Sequence, residues 1–146
     1  MDFTITHFPA FNIAGLTIRT ANAGGRAIRD IGALWQQFIA QGILQTIPNR
    51  HSDDIYCMYT EYEKDANAPY TVILGCRVNA LDGLPAGITG KEIGENTYRL
   101  YTSATQDSVV TTWVHIWQSE IDRAYEADFD VYKQDGSVGT YLSVHS

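Results

Sequence analysis

Apolar side chains recur at every second residue, then at every third or fourth, then at every second again, and the chain runs through this order twice. From Phe11 to Thr20 (FNIAGLTIRT), branched residues between Pro9 and Gly24-Gly25 predict a strand entering a turn. From Arg26 to about Gln41, the residues Ile28, Ile31, Leu34, Trp35, Phe38 and Ile39 step by three and four, the stripe of an amphipathic helix that Gly42 ends. The segment Ile43 to Asp54, with Pro48, Asn49 and Ser52, reads as a loop. Tyr56 to Glu63 and Tyr70 to Val78 then predict a hairpin turning around Ala66 and Asn67. Period-two alternation places Cys57, Tyr59, Val72, Leu74 and Cys76 on one face, and Met58, Thr60, Tyr62, Thr71 and Ile73 on the other.

Leu81 to Gly94 holds four glycines and Pro85 and reads as a connection, with a brief extended piece from Ile88 to Ile93. A strand from Thr97 to Ser103 follows, in which Tyr98, Leu100 and Thr102 alternate against Arg99, Tyr101 and Ser103. After the polar start Gln106-Asp107-Ser108, Val109, Val110, Trp113, Val114, Trp117 and Ile121 predict a second helix. The chain closes with a hairpin, Asp128 to Lys133 and Thr140 to Val144, turning through residues 135–137. Its inner face is expected to carry Phe129, Val131, Leu142 and Val144, leaving Asp130, Tyr132 and Tyr141 on the outer one.

The two halves echo each other. Tyr59-Thr60-Glu61-Tyr62 with Asp65 returns as Phe129-Asp130-Val131-Tyr132 with Asp135, and Ile31 and Trp35 return as Trp113 and Trp117. One domain spanning 1–146 is expected, with internal halves of about 1–80 and 81–146. Its class is α+β: duplicated strand–helix–hairpin units, two antiparallel sheets with one main helix each, pseudo-twofold symmetry and a central cleft. The side of each sheet away from its helix is expected to look into the seam, where small-molecule pockets tend to form. That expectation nominates Asp130, Tyr132, Tyr62 and Met58, and Tyr98 is a further ligand-binding candidate.

Composition narrows the partners. Seventeen acidic against ten basic residues give a formal charge of −7, which disfavours direct binding to nucleic acid and favours cations where charge matters. The N-terminus carries no basic, apolar leader and no run approaches a membrane span, so a cytoplasmic protein without membrane contact is expected. Cys57 and Cys76 are the only cysteines and lack metal-site spacing; a hairpin would bring them close enough for a disulfide, and two buried reduced thiols are the other reading.

Asp130 is the first candidate for chemistry, because a carboxylate in mid-strand between Phe129 and Val131 is disfavoured unless something requires it. It would anchor a cationic ligand among aromatic faces, or else remain solvated or pair with Arg123 or Lys133. Glu61 is a second carboxylate candidate. Trp113 and Trp117, one helical turn apart, are read either as core or as pocket wall. No cofactor motif, metal cluster or nucleophile constellation is present: His7, His51, His115 and His145 are scattered, and no phosphate loop appears. Carboxylate-assisted hydrolysis remains open, since Asp130 or Glu61 in an apolar pocket could serve as a general base.

The blocks LWQQF at 34–38, YTEYEKD at 59–65 with YTVILGCRV at 70–78, and WVHIWQSEIDRAYEADFDVY at 113–132 resemble the GyrI-like domain, the effector-binding domain also attached to AraC-type transcription regulators. The resemblance runs from about Phe3 to Val144. It implies a duplicated fold whose cleft takes hydrophobic, often cationic, small molecules, with a carboxylate, usually Glu, meeting the ligand charge. Asp130 stands at the position of that glutamate, one methylene shorter, with Tyr132 as the tyrosine that follows. No helix-turn-helix accompanies it, so a stand-alone binding domain is expected, with a regulatory protein partner left open. Proteins similar to it include hydrolases of reactive compounds and protein-binding inhibitors of gyrase, and both remain alternatives.

Overall fold

The computed structural model describes residues 2–65 and 67–145. Eight strands form one antiparallel sheet: β1 (Thr4–Phe8), β2 (Phe11–Thr20), β3 (Ile55–Thr60), β4 (Tyr70–Val78), β5 (Thr89–Ile93), β6 (Asn96–Ser103), β7 (Ala127–Tyr132) and β8 (Val138–Val144). Three α-helices accompany them among the described residues: α1 (Arg26–Ala40), the single turn α2 (Ile43–Thr46) within the expected loop, and α3 (Ser108–Gln118). Ala66, expected at the first hairpin's turn, lies outside the described residues.

The strand order β1-β6-β8-β7-β3-β4-β2-β5 explains the internal echo. Read outward from the centre, β3-β4-β2-β5 mirrors β7-β8-β6-β1, with α1 between β2 and β3 and α3 between β6 and β7. The two expected sheets are therefore two four-stranded halves of one sheet, fused where β3 pairs with β7. Each half takes its outermost strand from the other part of the chain: β1 pairs with β6, and β5 pairs with β2. The sheet halves thus do not coincide with residues 1–80 and 81–146. β1 carried no readable strand signal because it is a largely exposed edge strand, and one exposed face plus one exposed edge leaves little apolar alternation.

Helix α1 lies chiefly over β2 and β4, and α3 over β6 and β8. Beneath α1, Ala27, Leu34, Phe38 and Ile43 pack on Leu16, Val72, Leu74 and Cys76. Beneath α3, Ile116 packs with Tyr101 and Leu142. At the end of α1, Gly42 sits at φ 58°, a left-handed conformation that favours glycine and lets the chain turn into α2. Gly15 and Gly75 face each other across β2 and β4, and a Cβ on Gly75 would run into the Ala14 carbonyl oxygen, so neither position has room for a side chain. Both cysteines are buried free thiols; the residue opposite Cys57 on β4 is Leu74.

The opposite side of the sheet has its own core, built without a helix. Phe11, Ile13, Tyr56, Met58, Ile73, Tyr98, Phe129 and Val131 form it, closed by Phe8, whose ring meets Tyr98, Phe129 and Tyr141 edge-on at 5.4–6.2 Å. This corrects the expected faces of the last hairpin. Its register sets Phe129 opposite Tyr141 and Asp130 opposite Thr140, so Tyr141 stacks on Phe129 at 4.6 Å while Leu142 belongs to the helix side. A one-residue change of register exchanges every face, and register depends on the turn rather than on the strands' own pattern.

Candidate functional site

Because each helix covers its own half, the central pair β3 and β7 is left as the floor of a gap between α1 and α3. That gap is a cavity of about 470 Å³, within the range of pockets that enclose drug-sized molecules. Tyr59 rises from β3, Asp130 and Tyr132 from β7, and Trp113 and Trp117 from α3; Ile28 and Ile31 close it from α1. Its walls are almost wholly apolar or aromatic. Ile28, Val110 and Trp117, at 78%, 67% and 56% exposed, put greasy side chains at its mouth that no core requires.

Asp130 borders this cavity yet has no surface open to solvent. Its carboxylate accepts hydrogen bonds from the Tyr59 hydroxyl at 3.1 Å, from the Trp113 indole Nε1 at 3.1 and 3.2 Å, and from the Thr140 hydroxyl at 2.6 Å. Burial holds the Tyr59 phenol well above its ordinary pKa, so it serves as a donor. No salt bridge reaches Asp130 among the described residues. Burial pushes its carboxyl up from an ordinary 3.8 to about 6, against the three donors that favour the charged form. Asp130 is thus an anion held by neutral dipoles next to an aromatic cavity.

Asp128 lies two residues earlier on the same face, and its charge is already answered. Arg123 Nη2 donates to it at 2.9 Å, the Tyr62 hydroxyl at 2.6 Å, and the backbone N–H and hydroxyl of Ser143 at 2.7 and 2.8 Å. Burial works against the Arg123 charge, but Asp128 more than compensates and holds its pKa above the ordinary value. The guanidinium also lies 4.4 Å from the Tyr125 ring centroid. Of the two buried aspartates, Asp130 alone has the cavity for a neighbour.

Five of the sequence candidates meet here: Asp130, Tyr132, Tyr62, Trp113 and Trp117 all line the cavity. The cleft is on the helix side of the sheet, so the expectation that it faces away from the helices is corrected. Met58 and Tyr98 accordingly lie in the opposite core, fully buried, and the structure does not bring them to the cavity. Tyr62 arrives by a different route from the one alternation implied. Glu61, past the end of β3, adopts φ 51°, which breaks the strand period and returns Tyr62 to the helix side. Glu61 itself is exposed and bonded to Thr71 at 2.7 Å and Lys91 at 3.0 Å, away from the cavity; the Thr71 and Lys91 bonds hold its carboxyl below the ordinary value.

Tyr59, Tyr70, Ile28, Ile31 and Arg123 are lining residues that the candidate list lacked. Alternation already put Tyr59 on the face shared with Cys57 and Val72, and the missing element was which face opens. Among the described residues no group of three or more His, Cys, Asp or Glu comes together as a metal site, and no helix is long and apolar enough to cross a membrane.

A duplicated open sheet with two helices flanking an aromatic cavity defines an effector-binding domain. The chain belongs to the family of integron-associated effector binding proteins, Cass2, whose model matches residues 4–144. It is 30% identical over 141 residues to YobU of Bacillus subtilis (strain 168), a protein described as a transcriptional regulator, covering 92% of this chain and 88% of YobU. The integron cassette protein VCH_CASS2 from the mobile metagenome of Vibrio cholerae has the same fold, with a TM-score of 0.79, 24% identity and coverage of 98% of this chain and 95% of that one. A further structure of this fold, SAV2435 bound to tetraphenylphosphonium, superimposes with a TM-score of 0.76 at 14% identity, over 100% of this chain and 95% of that one.

Proposed function

We propose that this protein binds a hydrophobic organic cation in the cavity between α1 and α3, with Asp130 supplying the opposing charge. The observation that carries the reading is the contrast on β7: Asp128 is neutralised by Arg123, whereas Asp130 is buried beside the cavity with only neutral donors. Its oxygens are occupied by three side chains, so it has little capacity left for a ligand N–H. The cation is therefore recognised by charge and by the faces of Trp113, Tyr59, Tyr132 and Trp117, which suits quaternary or delocalised cations better than primary amines. SAV2435, with its bound phosphonium, supports the same reading by analogy of fold.

With a formal charge of −7, this chain's surface is unsuited to a phosphate backbone, so control of transcription in the sense of YobU's description would need a DNA-binding element other than this domain. The test compares a quaternary ammonium with its carbon isostere by calorimetry. A preference for the cation of about 1–3 kcal/mol is expected. Equal binding of the two would remove the charge role. Recovery of the ligand as a reaction product would replace binding with catalysis.

A further inference from the structure

The cavity over Asp130 does not end at Trp117. A second cavity of about 380 Å³ adjoins it, sharing Asn22, Ala27, Ile28, Trp117 and Arg123 as common wall and continuing to Asn67, Ser119 and Tyr125. The two chambers differ in chemistry. The first is mostly aromatic and apolar, while the second adds the polar residues Asn67 and Ser119 to the Asn22 and Arg123 that both share. Trp113 spans the distance between the charged groups: its indole N–H reaches Asp130 at 3.1 Å, and its ring centroid lies 6.0 Å from the Arg123 guanidinium carbon.

Arg123 is incompletely used by the protein. Its side chain is only 8% exposed, and Nη2 bonds to Asp128 at 2.9 Å, but Nε is buried with no hydrogen-bond partner among the described residues. A buried donor left unmatched is costly in a folded protein, and an arginine fork offers its donors in a fixed plane that suits oxygen acceptors. The ion pair with Asp128 cancels its charge, so Arg123 does not repel a cation seated over Asp130. Arg123 borders both chambers and is, among the described residues, the one cationic side chain on the wall they share.

We infer that the ligand is bipartite: a hydrophobic cation over Asp130 joined to a neutral oxygen acceptor, of the carbonyl class, that reaches Arg123 at the junction of the two chambers. The inference rests on the cation reading above and adds a selectivity that Asp130 cannot provide. A hydrocarbon cation fills the first chamber alone, whereas a cation carrying a carbonyl one arm's length from its charge also engages the guanidinium.

The experiment uses two probes, phenylbutyltrimethylammonium and its benzylic ketone, titrated by calorimetry into the wild type and Arg123→Lys. Lysine keeps the charge that Asp128 needs and loses the planar fork. The ketone is expected to bind the wild type about tenfold more tightly than the hydrocarbon, and in Arg123→Lys the two should bind equally. A cooperative urea transition in Arg123→Lys reports that the variant is folded. Should Arg123→Lys not fold, the double variant Arg123→Met with Asp128→Asn removes both charges together and should show the same loss of ketone preference. A ketone preference that survives in the variant, or none in the wild type, overturns the acceptor site and leaves the cation reading intact. If neither probe binds the wild type, the cation reading falls and the inference with it.

Discussion

Asp128 and Asp130 stand two residues apart on one face of β7, both without exposed surface, and only Asp128 is paired with a cation, Arg123 at 2.9 Å. The same strand thus provides one carboxylate that holds the fold together and one that the fold leaves without a counter-ion beside the cavity. In the first case the counter-ion is internal; in the second, the proposed ligand supplies it.

Asp130→Asn should separate binding from stability. The rise of the Asp130 pKa from 3.8 to about 6 means that keeping it charged in the folded state costs about 3 kcal/mol. The variant should be at least as stable as the wild type in urea near neutral pH, while losing about 1–3 kcal/mol of cation affinity. A variant that unfolds more easily and binds undiminished would show Asp130 to be a structural residue.

The pH dependence follows from the same group. Between 3.8 and about 6 the unfolded chain releases this proton while the folded chain keeps it, so the contribution to stability is intact below 3.8 and lost as pH rises through about 6. The stability gap between Asp130→Asn and wild type should therefore narrow toward pH 4. Cation affinity has the opposite slope, falling about tenfold for each pH unit below about 6, because the ligand then competes with one proton. Calorimetry near pH 7.5 and pH 5 measures it; a flat profile would place the anchoring charge elsewhere.

The two tryptophans of α3 should behave differently. Trp117 is more than half exposed at the mouth, so Trp117→Ala should cost less than about 1 kcal/mol of stability, with its effect falling on ligand affinity. Trp113→Phe keeps a ring but deletes the N–H donated to Asp130, which removes one of the bonds favouring the carboxylate. Its cation affinity should begin to fall at a higher pH than that of the wild type. Coincident pH profiles for Trp113→Phe and wild type would deny the indole that role.

Arg123 and Asp128 form a buried pair, and removing one partner should hurt more than removing both. Arg123→Met leaves Asp128 with only neutral donors and should cost about 3–5 kcal/mol, most of which Asp128→Asn in the same chain should restore. Urea titrations of the two single variants and the double give the coupling energy. Additive costs would mean that the two side chains do not depend on each other.

The sequence by itself determined the elements and their repetition. Strand and helix periods in β2, α1, β4, β6 and the two hairpins depend on side chains within one segment, and Phe11–Thr20 and Tyr70–Val78 begin and end where the alternation does. Asp130 was legible for the same local reason, as a carboxylate set mid-strand between Phe129 and Val131. The edge strand β1 and the sides of the sheet were not. Which face of β7 meets the helices is set by a register with β8 that places Asp130 opposite Thr140, and by pairing with β3, whose sequence lies seventy residues away. Tyr62 reached the cavity through the left-handed turn at Glu61, and Met58 and Tyr98 were drawn into a second aromatic core. Local period reports that a strand has two faces; only the packing of the whole sheet decides which of them is left open.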